Sequence, residues 1–248
     1  MDWANKINKF LDTMSSEHYQ KLLLTGLWTT VKIAILGLLI GIVIGTIIAT
    51  VKVSPKYKLL PRILDKICTV YVAIFRGTPI AVQLLLAYYV LLPMMGVKGV
   101  PAVNVGIVVF GLNSGAYVSE IMRSGLNSVD VGQMEAGRSV GLGYGTTMLK
   151  IIIPQAIKNI LPTIGNEFIS LIKETSVLSF IAVSDLYVAL IQHVAAVKYE
   201  WVIPYIVLAL IYFVLVLIIT LLIRILEKIL AKNDRTIGKP KRKKQLVS

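Results

Sequence analysis

The stretch WVIPYIVLALIYFVLVLIITLLI, from Trp201 to Ile223, contains no charged residue. As a helix, at about 1.5 Å per residue, it is longer than the roughly 30 Å hydrocarbon core of a bilayer. Four further apolar blocks precede it: Leu22 to Val51, Ile67 to Leu92, Ala102 to Met122, and Asn159 to Ala182. The whole chain shares this character, with 248 residues that are 56% hydrophobic and 16% charged and a mean hydropathy of +0.77. The pattern is that of an all-α integral membrane protein with five transmembrane helices, leaving no room for a large catalytic domain outside the bilayer.

The charges set the expected orientation. Five Lys and Arg residues, including Lys6, Lys9 and Lys21, fall on one side of the spans and eighteen on the other, the latter from Lys52 to Lys66, Arg123 to Lys158, and Arg224 onward. Basic residues resist translocation, so the N-terminus is expected outside and the C-terminus inside. The net charge of +13 is thereby mostly topological. A basic cluster behind a membrane helix, as in the 231–248 tail, is expected to meet anionic membrane lipid, and no nucleic acid is expected. Residues 1–21 carry Trp3, Ile7, Phe10, Leu11 and Met14 at helical spacing among polar residues. They read either as an amphipathic interfacial helix or as a partly ordered surface tail. No basic n-region precedes a short apolar core, so no removable signal peptide is expected. The single cysteine, Cys68, and two distant histidines, His18 and His193, point to neither a disulfide nor a metal site.

Within the spans, Gly37, Gly41, Gly45 and Ala49 recur every four residues, as do Gly111, Gly115 and Ser119. Each row makes a smooth face for close helix packing. Charges in these spans are costly and face a partner or a cavity. Arg76, Glu167, Lys173 and Glu174 are such residues, with Glu167 and Glu174 seven apart and Ser170 on the same face. They form either an ion-pair network that fixes helix register, for example Arg76 with Glu174, or a polar cavity for a zwitterionic solute. The Arg76-Gly77-Thr78-Pro79 stretch loosens its helix and frees backbone groups to line such a cavity. Acidic Glu167 and Glu174 suit a cationic amino acid, unless Arg76 or Lys173 neutralises them.

The inside segment 127–156 reads as an elbow. Asp130 or Ser128 caps a helix through Gln133, Glu135 and Arg138, Gly141-Leu142-Gly143-Tyr144-Gly145 breaks it, and a second short helix is expected to end near Pro154. No G-x-x-x-x-G-K-[ST] occurs, which excludes a phosphate loop. The elbow is a docking surface.

Glu135-Ala136-Gly137, three residues, Gly141, nine residues and Ile151-Ile152-Ile153-Pro154 resemble the EAA loop of permease subunits of bacterial ABC importers. The spacing agrees throughout, with Gly137 and Ile153 departing from the usual Ala and Leu. Arg76-Gly77-Thr78-Pro79 with Gln83, Ser114-Gly115-Ala116-Tyr117 with Glu120 and Arg123, Gly132-Gln133, Pro154-Gln155-Ala156, Gly165-Asn166-Glu167 and Lys173-Glu174-Thr175-Ser176 narrow the resemblance. They are similar to permeases for histidine, glutamine, glutamate, arginine and cystine, over residues 22 to 230. Glu174 stands where that family commonly has Asp.

The resemblance implies a type I importer permease domain over 22–230 with a cytoplasmic coupling helix, in a bacterial cytoplasmic membrane. Its implied partners are a second permease, identical or related, two cytoplasmic ATPase subunits and an extracellular solute-binding protein. It implies no enzymatic activity and no cofactor on this chain, since ATP and Mg would be used by the ATPase. Gln133, Glu135, Ala136, Gly137, Gly141 and Pro154 would couple to that ATPase. Arg76, Thr78, Gln83, Tyr117, Glu120, Glu167 and Glu174 would line the path of an amino-acid substrate. The rival reading is an ion- or proton-driven transporter, but five unlike spans show no inverted repeat. An intramembrane enzyme would need a nucleophile with a base or a metal pair, and both histidines lie outside the spans.

Overall fold

A computed structural model describes residues 3–54, 56–196 and 201–237. The described residues are overwhelmingly helical and contain no strand. The order is α1 (Trp3–Met14), α2 (Glu17–Val53), α3 (Leu59–Gly77), α4 (Ile80–Met94), α5 (Ala102–Asn127), α6 (Val131–Ser139), α7 (Tyr144–Thr147), α8 (Ile153–Glu174) and α9 (Val202–Ile237). Wide π-helical turns occupy Ala87–Leu91 within α4, Met148–Ile152 between α7 and α8, and Val188–Ala195. Among the described residues, α2, α5 and α9 are each long and apolar enough to cross a membrane, and α3 with α4 adds a fourth candidate if the bent pair is one span.

α5 is the centre of the bundle. Its Phe110 is fully buried with Ile33 of α2, Leu84 of α4, and Leu171 and Ile172 of α8. The glycine rows do what their spacing predicts. A Cβ on Gly41 would lie 2.7 Å from Ser114 Cβ, and one on Gly45 would lie 2.8 Å from Ser119 N. In return, Cβ atoms on Gly111 and Gly115 would strike Ile40 and Ile44. The two backbones thus approach where only hydrogen fits, and dispersion contact runs the length of the pair.

The second apolar block is not a straight span. Thr78 is extended, with φ −126° and ψ 146°. A residue before proline is pushed out of the helical region, and Pro79 offers no N–H. The helix breaks there and turns through 105°.

The fourth block also departs from the sequence reading. It begins earlier, since Pro154 sits in the first turn of α8, where a missing N–H is tolerated. The second helix of the elbow consequently continues past Pro154 instead of ending near it. After Glu174 the chain tightens into a 3-10 helix, Thr175–Ile181. Here Thr175 Oγ1, Ser176 Oγ and Ser179 Oγ donate to carbonyls three residues back, at 2.7, 3.2 and 2.9 Å. Such bonds compete with the α-helical ladder. Ala182 (φ +58°) then turns the chain.

Val183 to Ala195, where the sequence reading places no element, is buried over most of its length. Asp185 Oδ1 accepts from Val188 N at 2.9 Å, and Leu186 N donates to Thr30 Oγ1 of α2 at 3.2 Å. Leu186, Leu190 and Leu208 form a second core with Phe10, Leu23 and Leu27. Residues 1–21 likewise divide. α1 ends at Met14 and α2 starts at Glu17, because Ser16 is extended. Ser15 Oγ donates back to Asp12 O at 2.7 Å, a local bond that competes with helix continuation. Trp3, Ile7 and Leu11 remain exposed on α1. Pro55, Lys198 and the tail Lys239 to Lys244 lie outside the described residues.

Candidate functional site: the helix break and the elbow

The chemistry-bearing residues gather in two places. The first is a polar groove of about 450 Å³ beside the helix break, lined by Arg76, Tyr117, Glu120, Ser124, Asn159 and Thr163, among others. Glu120 is its electrostatic centre. Its carboxylate accepts from Arg123 Nη2 at 2.6 Å and from Lys52 Nζ at 3.1 Å, and Arg76 Nη1 stands 4.0 Å away. The Arg76 guanidinium also lies 5.3 Å from the centroid of the Tyr117 ring, a cation–π contact. One carboxylate therefore serves three cations, and Arg76 is the most loosely held. The partner of Arg76 is Glu120 on α5, which corrects the pairing with Glu174 offered from sequence. Lys52, read from sequence only as an inside-loop charge, is part of the same cluster.

The other residues expected from sequence along a substrate path take separate places. Gln83 Nε2 donates to Thr78 O and Thr78 Oγ1, at 3.0 and 2.9 Å, and to Phe75 O at 2.9 Å. Thr78 and Gln83 thereby fasten the break. Glu167 is half-buried and accepts from Ser114 Oγ of α5 at 3.0 Å. Glu174 is exposed at the last turn of α8. Asn113, buried on α5, is not singled out by the sequence reading, yet it donates to Gln83 Oε1 at 3.0 Å and to Phe75 O at 3.2 Å. Its only sequence signal is a position four before Tyr117 and seven before Glu120, on one helical face.

The second place is the elbow. Asp130 caps α6 by accepting from Gly132 N at 2.7 Å, which satisfies one of the helix's orphan donors. Ser128, the other capping candidate, instead accepts from Asn159 Nδ2 of α8 at 2.8 Å. The chain leaves α6 at Gly141, where φ is +85°. There Leu142 N reaches back to Gly137 O at 3.1 Å and Gly141 N to Arg138 O at 3.1 Å, the pattern of a glycine-ended helix. Only a residue at ease with positive φ closes this end cleanly. Gln155 Nε2 donates to Gln133 Oε1 at 3.4 Å across the two limbs. Glu135, Ala136 and Pro154 are exposed, as are Val131, Val140, Tyr144 and Leu149. A carboxylate among apolar groups at the tip of a projection is suited to a protein partner.

Gly137 is different, being buried under Thr147 with an added Cβ only 2.5 Å from Thr147 Cγ2. Restoring the commoner Ala, as Gly137→Ala, is expected to loosen the elbow by about 1–3 kcal/mol through overpacking. Combining it with Thr147→Ala, which removes both colliding atoms, Cγ2 and the Oγ1 that would stand 2.9 Å away, should recover most of the loss. Faster trypsin cleavage after Arg138 in the single variant, and not in the double, is the check.

The sequence matches the family described as binding-protein-dependent transport system inner membrane component over residues 37–232. It is 39% identical over 212 residues to the arginine transport system permease protein ArtQ of Bacillus subtilis strain 168, covering 86% of this chain and 94% of that protein. It is 39% identical over 189 residues to the putative glutamine transport system permease protein GlnP of Rickettsia bellii strain RML369-C, covering 76% and 84%. A solved structure described as an amino acid ABC transporter with histidines superposes with a TM-score of 0.79 at 40% identity, covering 87% of this chain and 97% of that one. With the capped, glycine-ended elbow and the broken polar helix in place, the chain belongs to the family of binding-protein-dependent transport system inner membrane components.

Proposed function

We propose that this chain is the permease subunit of an ATP-driven importer that carries a polar amino acid into a bacterial cytoplasm by alternating access. The observation that carries the reading is the elbow: a capped projection, ended at Gly141 and tipped with Glu135 and exposed apolar side chains. It suits the groove of a separate ATPase, and the permease relatives support that assignment. In this reading α2, the bent α3–α4 pair, α5, α8 and α9 make five crossings, with the N-terminus outside and the elbow inside. The assembly holds two such permeases, identical or related, two cytoplasmic ATPase subunits that use ATP and Mg, and an external solute-binding protein.

The amino acid passes the polar side of the bundle. Arg76 is the donor for its carboxylate, since the 4.0 Å approach to Glu120 leaves hydrogen-bonding capacity free on a group suited to carboxylates. Tyr117 steadies the guanidinium, and Glu120 offsets part of the positive charge of Lys52, Arg76 and Arg123. Glu167 and Glu174 supply carboxylates for an ammonium or a cationic side chain.

The test is reconstitution of the permease with its ATPase and binding protein in liposomes, using radiolabelled L-arginine, L-glutamine and L-histidine. One of the three should accumulate only when ATP, the ATPase and the binding protein are all present. Accumulation driven by a sodium or proton gradient without the ATPase would overturn the reading. In the same vesicles Arg76→Ala is expected to raise KM at least tenfold for the transported amino acid, and an unchanged KM would remove Arg76 from the path.

A further inference from the structure

α3 ends at Gly77, so its last carbonyls have no helical N–H to accept from, and Pro79 cannot supply one. Thr78 Oγ1 donates to Ile74 O at 2.8 Å. The next carbonyl, Phe75 O, is held by two side-chain amides, Gln83 Nε2 at 2.9 Å from α4 and Asn113 Nδ2 at 3.2 Å from α5. These two amides are joined to each other at 3.0 Å. Phe75 immediately precedes Arg76, so three elements meet on the peptide unit from which the Arg76 side chain departs. Gly77, on the other flank, has nothing within 4 Å of where a Cβ would stand and offers no steric restraint. The direction of Arg76 is therefore set on the Phe75 side.

α5 completes the arrangement. Asn113, Tyr117 and Glu120 occupy one face of this helix. The first grips the corner's backbone, the second lies under the guanidinium, and the third faces its charge. Asn113 is 4% exposed and stands behind the groove's lining, not in it. We infer that Asn113, acting with Gln83, is a positioning residue that aims Arg76 into the groove and so governs affinity for the substrate carboxylate. This inference rests on the reading of Arg76 as the carboxylate donor.

The experiment uses the reconstituted importer and whichever of L-arginine, L-glutamine or L-histidine it accumulates. Asn113→Leu keeps the branched shape and the number of side-chain heavy atoms and deletes both N–H donors. It is expected to raise KM about tenfold while kcat stays within about twofold, and to add nothing to the KM of Arg76→Ala when the two are combined. A residue that merely stabilised the bundle would lower the amount of active protein and leave KM unchanged. An unchanged KM in Asn113→Leu, or a tenfold rise added on top of that of Arg76→Ala, overturns the inference while leaving the role of Arg76 intact. A KM unmoved by Arg76→Ala overturns both. If Asn113→Leu fails to assemble, Gln83→Met removes the less buried arm of the same clamp and carries the same expectations.

Discussion

Gly45→Leu is expected to prevent the bundle from forming. α2 and α5 share the most extensive helix interface among the described residues, and at Gly45 the obstacle is main chain as well as side chain. A Cβ there would stand 2.8 Å from Ser119 N and 2.7 Å from Val118 Cγ1. A side-chain tip can rotate away, but a backbone nitrogen in the middle of a buried helix cannot. Leucine adds three more carbons beyond that Cβ, so the strain exceeds the upper end of ordinary overpacking, about 3 kcal/mol. In a bilayer, where lipid chains are as apolar as the helices, close packing is much of what holds helices together. Detergent-solubilised Gly45→Leu should run as aggregate in size-exclusion chromatography, and Gly145→Ala, with open space around it, should run as the parent does. A monodisperse Gly45→Leu protein with the parent's melting temperature would contradict the packing argument.

The second large effect concerns transport and leaves the fold intact. Glu135 is exposed, and nothing lies within 4 Å of where a Cβ on Gly141 would stand, so substitutions at both reach no core. Valine at Gly141 meets a φ of +85° that a β-branched residue resists, and the end of α6 must rearrange. Glu135→Ala together with Gly141→Val is therefore expected to leave membrane insertion, and the ATPase's own binding of ATP, unaltered. Uptake should fall more than tenfold, and the loaded binding protein should no longer stimulate ATP hydrolysis. Normal uptake in this double variant would sink the coupling role of the elbow.

How far the sequence foretold this depends on the range of each interaction. The 23-residue charge-free block, the four-residue glycine rows and the Gly141 stop all show in local sequence patterns and are legible, and the cap is legible as a choice between Asp130 and Ser128. The bend at Thr78–Pro79 is half legible: proline announces a break, but the 105° direction is held by Gln83 and Asn113 from other elements. Val183 to Ala195 is not legible, because it is short for a crossing and owes its burial in part to α2, more than 150 residues earlier in the chain. The groove shows the same division. Glu120 and Arg123 are three apart and readable as a pair, whereas Lys52, 68 residues away, and Arg76 reach the same carboxylate only through the packing of α2, α3 and α5. Gly137 shows that a departure from a motif can be matched by its neighbour, here the methyl of Thr147.

The path from Tyr144 through the π-helical turn and α8 to Glu174 is one uninterrupted helical course. Its 31 residues extend over about 45 Å. A tilt of roughly 5° imposed at the Tyr144 end would sweep the Glu174 end sideways by about 4 Å. A small stroke where the course begins is thereby enlarged at Glu174, and Pro162 inside α8, which lacks a ladder N–H, is where such a course yields first.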